Sequence, residues 1–477
     1  MNTDGRSVVA ALGRSHLELC GATRGAFAAV AVDGSVLWTW GLDAETTTVF
    51  RMASMTKSFT AALVLSLRDE GIVGLDDPIA IHAPEFGTII GPGTDPAPIT
   101  LRHLLTMSSG LTTDDPWADR HLNASDDDLD QWVSAGLRFA YPTGTAFEYS
   151  NLGYVLIGRV VHRATGRQVQ DLVKERFLVP LGMTHTAWAI HALPEDADVT
   201  QGMHPGDGGP QPEPPLGDGV VAPMGGLWSC TQDLCRWISF LSSAFTEAPL
   251  PGGLAARSRR EMQQLHRGWS PHTDRTPDGA IRTEVGGYAM GLTTYRDEHL
   301  GWAVSHSGGL PGYGSNMRWI PGGIGIVALA NITYAPMRHA TAAILNALAV
   351  ADLLAPTAHT PSTQSTPSTP STQSTASTVH SDVLNASERF ARLLGHWDDS
   401  EAADVFADNV LLDESATIQR REIATRWDDG TVVQLLGVEP DGGAAAILTV
   451  IADTQLHRLR VELAPLARPL IQAYEWL

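Results

Sequence analysis

The chain has few cysteines and no long apolar run. Its 477 residues include only three cysteines, Cys20, Cys230 and Cys235, an odd number without the paired spacing of metal ligands. Such usage is more typical of a reducing compartment than of an oxidising one. Residues 1–20 mix acidic and basic side chains with short apolar groups, so they lack the apolar core of a secretory signal. No stretch has the length and apolar character of a transmembrane helix. The sequence therefore predicts a cytoplasmic protein.

Positive charge is also scarce. Lys and Arg total 32 against 53 Asp and Glu, which gives a formal net charge of -21, and no Lys/Arg-rich run occurs. Repulsion from phosphate groups argues against nucleic acid or an anionic membrane as a partner. The expected partner is a small-molecule substrate, and the sequence leaves the oligomeric state open.

Acidic and histidine residues are not arranged for a metal. Residues 126–128 are all Asp, but they lack the alternating pattern and glycine of a calcium loop. His103, His185 and His191 have no zinc-binding context. The sequence therefore predicts neither a metal nor a cofactor.

The composition changes sharply near residue 355. Residues 355–382 read APTAHTPSTQSTPSTPSTQSTASTVHSD, which is almost wholly Ser, Thr, Pro and Gln. A segment of this kind cannot bury an apolar core and is typical of a linker. The sequence therefore predicts a large domain at residues 1–354, a linker at 355–382 and a small accessory domain at 383–477.

Strand patterns occur at the two ends of the large domain, with helical periods between them. The predicted strands are residues 26–32, 35–40, 302–305, 314–320 and 324–331. The first two flank Asp33-Gly34, which suits a tight hairpin turn, and a helix is predicted at 336–354. This order predicts an α+β fold with one antiparallel five-stranded sheet, flanked by helices and joined to a helical region. The accessory domain is predicted as a small α+β or β-barrel-like module.

The first candidate for chemistry is a serine followed by a lysine. Ser54 precedes a helical pattern over residues 58–69, and Lys57 lies one turn further on the same face. A serine hydroxyl needs a base within hydrogen-bond reach, and a helix N-terminus favours developing negative charge. A lysine can be that base only if its pKa is lowered by burial or a nearby cation. The pattern S-x-x-K is by itself a weak signal.

The second candidate is Tyr149-Ser150-Asn151, on a loop before a helical run over residues 154–164. A phenol there can relay a proton between nucleophile and leaving group, and the Asn amide can bind a substrate carbonyl. For this tripeptide alone, a turn with a core tyrosine is the simpler interpretation.

The third candidate is His306-Ser307-Gly308-Gly309, which follows the predicted strand at 302–305. Glycines allow a substrate to approach a strand edge closely, and the exposed N–H groups can help to form an oxyanion hole. Each element is common alone, but the three in this order are not.

With these three elements the sequence resembles the serine β-lactamase and penicillin-binding-protein superfamily, whose signature is S-x-x-K, a middle Tyr or Ser element, and K-T-G. The Tyr-x-Asn form is similar to class C-like members, which include family VIII-type esterases and D-aminopeptidases. Residues 101–111, 180–183 and 225–229 also resemble family stretches. The resemblance covers residues 10–354 and implies a β-lactamase/transpeptidase-like fold.

The resemblance also implies roles for the residues of the site. Ser54 would be the acylated nucleophile, with Lys57 as its first general base. Lys57 and Tyr149 would remove its proton and return one to the leaving group. Asn151 would contact the acyl side chain.

The third element would complete the site. His306 is expected among the catalytic residues, and Ser307, Gly308 and Gly309 among the substrate-binding ones. The backbone N–H groups of Ser54 and Gly309 would form the oxyanion hole.

One residue departs from the family pattern. His306 stands where β-lactamases and DD-peptidases have the lysine of K-T-G, which supplies a permanent charge for a substrate carboxylate. A histidine is mostly neutral near pH 7 unless its pKa is raised. Recognition of a free carboxylate is therefore not expected, and family esterases and aminopeptidases with a His-x-Gly element fit better.

The predicted function is that of a serine hydrolase which forms an acyl-enzyme on Ser54 and hydrolyses esters or small amides and peptides, including those with D-amino acids. An acyltransferase or peptide cyclase is the alternative, since it would use the same acyl-enzyme and differ only in the acceptor. A true β-lactamase or DD-peptidase is a weaker alternative. A binding protein without catalysis would not need Ser54, Lys57 and Tyr149 together.

Overall fold

A computed structural model provides the structure of the chain. It describes residues 4–477 except 207, 269–271, 276–280, 298–299, 352, 354–380, 414–418, 420–421, 424–425, 427–430, 442 and 453–454. The predicted linker at 355–382 falls almost wholly outside the described residues, so the three-part division of the chain stays a prediction.

Helices dominate the middle of the chain. The α-helices are α1 (Gly5–Cys20), α2 (Thr56–Asp69), α3 (Leu101–Leu105), α4 (Asp115–Arg120), α5 (Asp126–Ala135), α6 (Asn151–Thr165), α7 (Val169–Val173), α8 (Thr231–Ser242), α9 (Ala256–Met262), α10 (Met337–Val350), α11 (Ser381–Gly395), α12 (Asp399–Val405) and α13 (Asp408–Asp413). A 3₁₀ turn, Ala53–Met55, leads directly into α2.

The longer strands lie at the two ends of the large domain and near the C-terminus, and short two-residue strands lie between them. The strands are β1 (Gly25–Val30), β2 (Val36–Leu42), β3 (Phe50–Arg51), β4 (Met203–His204), β5 (Gln211–Pro212), β6 (Trp228–Ser229), β7 (Arg267–Gly268), β8 (His272–Arg275), β9 (Ile281–Tyr288), β10 (Thr293–Asp297), β11 (Gly301–Leu310), β12 (Tyr313–Trp319), β13 (Gly325–Ala330), β14 (Val433–Pro440), β15 (Ala445–Ala452), β16 (Gln455–Leu463) and β17 (Ile471–Trp476).

One antiparallel sheet joins the two ends of the large domain. Its order is β2-β1-β13-β12-β11-β10-β9-β7, with β8 paired to β9. The five predicted strands are the consecutive members β2, β1, β13, β12 and β11, which confirms the predicted α+β fold. The sheet continues beyond β11 into β10, β9 and β7, which the sequence analysis did not assign.

Both faces of the central strands are buried, which explains their continuous apolar runs. In β1, Phe27 and Ala29 pack into the cluster formed with α1 and α10, whereas Ala28 and Val30 pack into the larger cluster with α2 and α8. This alternation is the two-residue period of a strand. The turn between β1 and β2 uses Gly34 at φ +93, as the Asp33-Gly34 dipeptide predicts.

The C-terminal residues form a second, smaller apolar cluster. We call residues 381–477 the C-terminal unit; it consists of α11–α13 and an antiparallel sheet of order β14-β15-β16-β17. Of the two predicted alternatives, the α+β description fits this arrangement. Phe390, Phe406 and Tyr474 pack at the centre of its apolar cluster.

The C-terminal unit makes direct contacts with the large domain. The backbone N–H of Arg138 donates to the carbonyl of Pro465 at 2.7 Å. Gln472, which is buried, donates from Nε2 to the carbonyl of Thr113 at 2.7 Å. None of the helices in the described part of the chain combines the length and the apolar character that a membrane crossing requires.

Candidate active site

The predicted nucleophile lies on a strained turn at the start of α2. Ala53, immediately before Ser54, has φ +51, a left-handed conformation that is rare for a residue with a side chain. The hydroxyl of Ser315 on β12 donates to the carbonyl of Met52 at 2.8 Å. A Cβ atom at Gly308 would lie 2.3 Å from that same carbonyl oxygen. Glycine is therefore required at 308 for β11 to approach the turn that carries Ser54.

Lys57 lies one helical turn after Ser54 and is fully buried. Its ammonium group donates to Ser54 Oγ at 2.9 Å, to Asn151 Oδ1 at 2.6 Å and to the carbonyl of Met224 at 2.8 Å. These three acceptors use all three of its N–H bonds. Lys57 is thus held in one position, with its nitrogen directed at the serine oxygen.

Burial changes the proton affinity of this lysine. Desolvation lowers the pKa of Lys57 from 10.5 to about 8, and the negative charges of Asp115, Asp119 and Asp114 only partly oppose it. About a tenth of the side chain is then neutral at pH 7. A neutral amine at hydrogen-bond distance from a serine hydroxyl is a general base.

Tyr149 is the second polar group at the serine. Burial, together with the charge of Asp115, holds the pKa of Tyr149 well above the usual value of 10, although an interaction with Ser54 lowers it. Tyr149 is therefore a neutral phenol that can donate a proton. The Lys57 nitrogen lies 5.0 Å from the centre of its ring, so both groups meet at Ser54 as the sequence predicts.

Asn151 occupies the first position of α6 and is completely buried. Its amide accepts from Lys57 and donates from Nδ2 to Asp115 Oδ1 at 2.6 Å. Its backbone N–H donates to Asp114 Oδ1 at 2.7 Å. The side chain therefore holds Lys57 and Asp115 in place, whereas its predicted contact with the acyl group stays a prediction.

His306 lies inside β11, which extends further than the predicted strand and includes the whole third motif. Its Nδ1 bonds the carbonyl of Ser307 at 2.5 Å, so this nitrogen carries the hydrogen. Its Nε2 therefore accepts from the hydroxyl of Tyr288 at 3.0 Å. Burial, together with the nearby Lys57 charge, lowers the pKa of His306 to about 3. The imidazole is neutral and offers no positive charge to a substrate.

A cleft of about 460 Å³ opens at Ser54. Besides the nucleophile, its lining includes four residues that the sequence predicts for the site: Tyr149, His306, Ser307 and Gly309. Gly308 and Asn151 are not part of the lining. Gly308 allows β11 to approach the turn that carries Ser54, and Asn151 holds Lys57 in place. A Cβ atom at Gly309 would lie 2.7 Å from the ring of Tyr334, so glycine keeps this edge of β11 open.

The cleft also contains residues that the sequence analysis did not single out. The structure adds six side chains to the lining: Asp115, Asp119, Phe147, Tyr288, Thr293 and Tyr334. Asp115 and Asp119 are four residues apart on α4, a spacing that places them on one face of a helix. That spacing, directly after the family-like stretch at 101–111, is the one sequence signal that points to them.

One group of potential metal ligands occurs among the described residues, formed by His185, Cys230 and Asp233. The carboxylate of Asp233 is already occupied, because it accepts from the backbone of His185 at 2.7 Å and from Arg236 at 2.7 Å. Burial raises the pKa of the Cys230 thiol to about 12, which disfavours the thiolate that a metal needs. These residues fit a structural network better than a metal centre.

The fold and the three-part site agree with a comparison against protein families. The model of the Beta-lactamase family matches residues 14–351, which is well over half of the chain. The chain therefore belongs to the β-lactamase family, a class of serine hydrolases that includes penicillin-binding-protein relatives.

Among curated proteins, the chain is similar to Protein flp of Staphylococcus aureus (strain MRSA252), with 30% identity over 314 residues, or 64% of this chain and 57% of that protein. It is also similar to a penicillin-binding protein of Bacillus subtilis (strain 168), with 27% identity over 57% of this chain and 58% of that protein. The chain thus spans a little over half the length of the curated relatives that it matches.

Among solved structures, an octameric penicillin-binding protein homologue from Pyrococcus abyssi aligns over 94% of both chains, with a TM-score of 0.53 and 19% identity. A class C β-lactamase aligns over 72% of this chain and 96% of its own, with a TM-score of 0.55 and 16% identity. At this identity the likeness extends to the fold alone.

Proposed function

We propose that the protein is a serine hydrolase that forms an acyl-enzyme on Ser54 and hydrolyses esters or small amides and peptides. The observation that carries this proposal is the arrangement at Ser54 Oγ, which accepts from Lys57 at 2.9 Å and shares its cleft with Tyr149, whose pKa is influenced by Ser54. A buried lysine with a lowered pKa and a phenol with a raised pKa supply a base and an acid to the same oxygen.

Acylation begins with the neutral form of Lys57. Its amine takes the proton of Ser54 as Oγ forms a bond to the substrate carbonyl carbon, and the carbonyl oxygen becomes an oxyanion. The backbone N–H groups of Ser54 and Gly309 are the proposed donors to that oxyanion. Each such donor contributes about 3 kcal/mol of transition-state stabilisation.

The leaving group then departs with a proton. As its bond to the carbonyl carbon breaks, the hydroxyl of Tyr149 donates its proton, and the Lys57 ammonium returns one to the phenolate. In deacylation a water molecule gives a proton to this pair and its oxygen attacks the ester, after which Ser54 regains its hydrogen. The cycle restores every group to its starting protonation state.

The lining of the cleft supports esters and small amides over substrates with a free carboxylate. His306 is neutral because its pKa is about 3, and it replaces the lysine of the K-T-G element. The side chains that line the cleft include no Arg or Lys among the described residues. A penicillin carboxylate or a peptide C-terminus would therefore find two aspartates and no cation.

A substrate panel tests this proposal. Short acyl p-nitrophenyl esters, D- and L-aminoacyl p-nitroanilides and nitrocefin would be compared on the wild type, on Ser54→Ala and on Ser134→Ala, an exposed serine that serves as the matched control. Turnover of esters or anilides is expected with the wild type and Ser134→Ala, and none with Ser54→Ala.

Two results would overturn the proposal in different ways. Efficient turnover of nitrocefin with untouched esters and anilides would show that His306 does not set the substrate class as proposed. Equal rates for Ser54→Ala and the wild type would remove Ser54 from the chemistry. Adding an amine acceptor to the ester assay would reveal acyl transfer, because the amide product would then compete with the free acid.

A further inference from the structure

The cleft at Ser54 contains two acidic side chains to which the chemistry at the serine assigns no step. Asp115 and Asp119 line it together with four aromatic rings. We propose that Asp115 and Asp119 bind a positively charged group on the acyl part of the substrate, so that the preferred substrates are aminoacyl esters, amides or short peptides with a free amine. This substrate class rests on the proposed function, because it describes the acyl group that Ser54 would attack.

The two carboxylates have hydrogen bonds but no counter-ion. Asp115 accepts from Asn151 Nδ2 at 2.6 Å, and Asp119 accepts from the hydroxyl of Tyr334 at 2.9 Å. No ion pair links either of them to an Arg or Lys in the part of the chain that the structure describes. A buried carboxylate without a cation is costly, and a ligand that carries a positive charge would relieve that cost.

The nearest cation cannot serve this purpose. Lys57 donates all three of its N–H bonds to Ser54, Asn151 and Met224, so none is left for Asp115 or Asp119. Its charge acts on them only through space. The positive partner of the two carboxylates must therefore come from the molecule in the cleft.

The aromatic lining points independently to a cation. Phe147, Tyr149, Tyr288 and Tyr334 all line the same cleft. The face of an aromatic ring attracts an ammonium group, and several rings around one cavity are a known arrangement for binding it. Carboxylates and rings in one cleft thus favour the same kind of ligand.

The protonation of the two acids agrees with a missing charge. The pKa of Asp115 is raised, chiefly by burial, and the pKa of Asp119 is raised well above 3.8 by burial and by the charge of Asp115. An ammonium group between them would favour their ionised forms. Neutral His306 adds no repulsion, because its pKa is about 3.

The test compares two substrates whose acyl parts differ in one substituent. Alanyl p-nitroanilide, as both enantiomers, carries an ammonium where isobutyryl p-nitroanilide carries a methyl group of similar size. At pH 7 the α-amine, with a pKa of about 8, is largely protonated. For the wild type, we expect kcat/KM to be about tenfold or more higher for one alanyl enantiomer than for the isobutyryl anilide, as a charge-assisted hydrogen bond implies.

The variants Asp119→Asn and Asp115→Asn are expected to lower this ratio by about tenfold, since each keeps the shape and removes the charge. Asp127→Asn, at an exposed position of α5, changes the net charge equally and should leave the ratio unchanged. Labelling of Ser54 by a fluorophosphonate checks that each variant has an assembled site. If a variant is not labelled, a competition experiment on the wild type decides instead. Alaninamide is then expected to protect Ser54 from the fluorophosphonate more strongly than isobutyramide does.

The outcomes separate this inference from the proposed function. Turnover of both anilides with a ratio near one, or a ratio that neither variant changes, would overturn the cationic substrate class while leaving the acyl-enzyme intact. Stronger protection by isobutyramide than by alaninamide would overturn it as well. Absence of both turnover and labelling at Ser54 would instead refute the proposed function itself.

Discussion

Two sides of the cleft differ in how their polar groups are satisfied. The first, which we call the nucleophile side, consists of Ser54, Lys57, Tyr149, Asn151 and the carbonyl of Met224. There each N–H of Lys57 has a protein acceptor, one of which is the serine oxygen, and Tyr149 interacts with the same serine.

The second, the acidic side, consists of Asp115, Asp119 and Tyr334. Among the described residues, its carboxylates have hydrogen bonds but no ion pair with Arg or Lys. On the proposed function, the nucleophile side is complete before substrate arrives, whereas the substrate would complete the acidic side. Reaction type and substrate choice would thus lie on different segments of the chain.

The acidic side is also the one attached to the C-terminal unit. Gln472 donates to the carbonyl of Thr113, two residues before Asp115. The backbone N–H and hydroxyl of Thr113 in turn donate to Glu148, next to Tyr149, at 3.1 and 2.8 Å. The C-terminal unit is therefore linked to the site through Thr113.

The largest expected effect comes from removing the base on the nucleophile side. Lys57→Met should lower kcat/KM by about three orders of magnitude or more, since general-base catalysis contributes about 10²- to 10⁴-fold and the serine loses its only nitrogen partner. Lys174, exposed and the only other lysine of the sequence, gives the matched control Lys174→Met. Ester hydrolysis measures the loss, and circular dichroism checks the fold. A Lys57→Met enzyme within tenfold of the wild type would contradict the assignment.

Removing the proton donor should cost somewhat less. Tyr149→Phe keeps the ring under Lys57 but deletes the hydroxyl, so kcat should fall by about a hundredfold. The loss should be larger for anilides than for p-nitrophenyl esters, because the poorer leaving group needs the proton more. Tyr141→Phe, at a half-buried position nearby, is the control. An equal loss on both substrate types would argue against proton donation by Tyr149.

The pH dependence of kcat/KM tests the base on the nucleophile side without a mutation. Only neutral Lys57 can take a proton, and its pKa is lowered to about 8, so kcat/KM for an uncharged ester should rise with pH and level off above about pH 8. Between pH 6 and the plateau the rise is about two orders of magnitude, as expected for a single group. Initial rates with isobutyryl p-nitrophenyl ester measure it. A profile that falls over this range would contradict a lysine base.

The smallest expected effect tests the link to the C-terminal unit. Gln472→Ala removes the part-buried bond to the carbonyl of Thr113, at a cost of about 1 kcal/mol. If this bond positions Asp115, the alanyl to isobutyryl ratio should fall about threefold, while Gln455→Ala, at an exposed position of the same unit, should not change it. A lower melting temperature with an unchanged ratio would mean that Gln472 is structural only.

Local patterns in the sequence were sufficient for much of the fold. The strand patterns at residues 26–32 and 324–331, the Asp33-Gly34 turn and the helical period after Ser54 predicted elements that the structure has. The strands β7, β8, β9 and β10 were missed because their largely polar runs, with glycine in β7 and β9, carry no clear apolar alternation. They matter for the site, since β9 ends at Tyr288, whose hydroxyl bonds His306.

The nucleophile side could be predicted because its residues form short motifs with fixed spacing. The carbonyl of Met224 could not, because a backbone acceptor has no residue type that a pattern can detect. Asp119 and Tyr334 are 215 residues apart and meet only through the fold. The role of Asn151 was also incomplete, because its partner Asp115 was not identified.

The central claim is that Ser54 forms a covalent acyl-enzyme. Rapid quenching of the wild type during turnover of an isobutyryl p-nitrophenyl ester, followed by peptide mass spectrometry, measures this directly. We predict a mass increase of one isobutyryl group on the peptide that contains Ser54, absent in Ser54→Ala. Turnover with no adduct at Ser54, or with an adduct on another residue that persists in Ser54→Ala, would contradict the account.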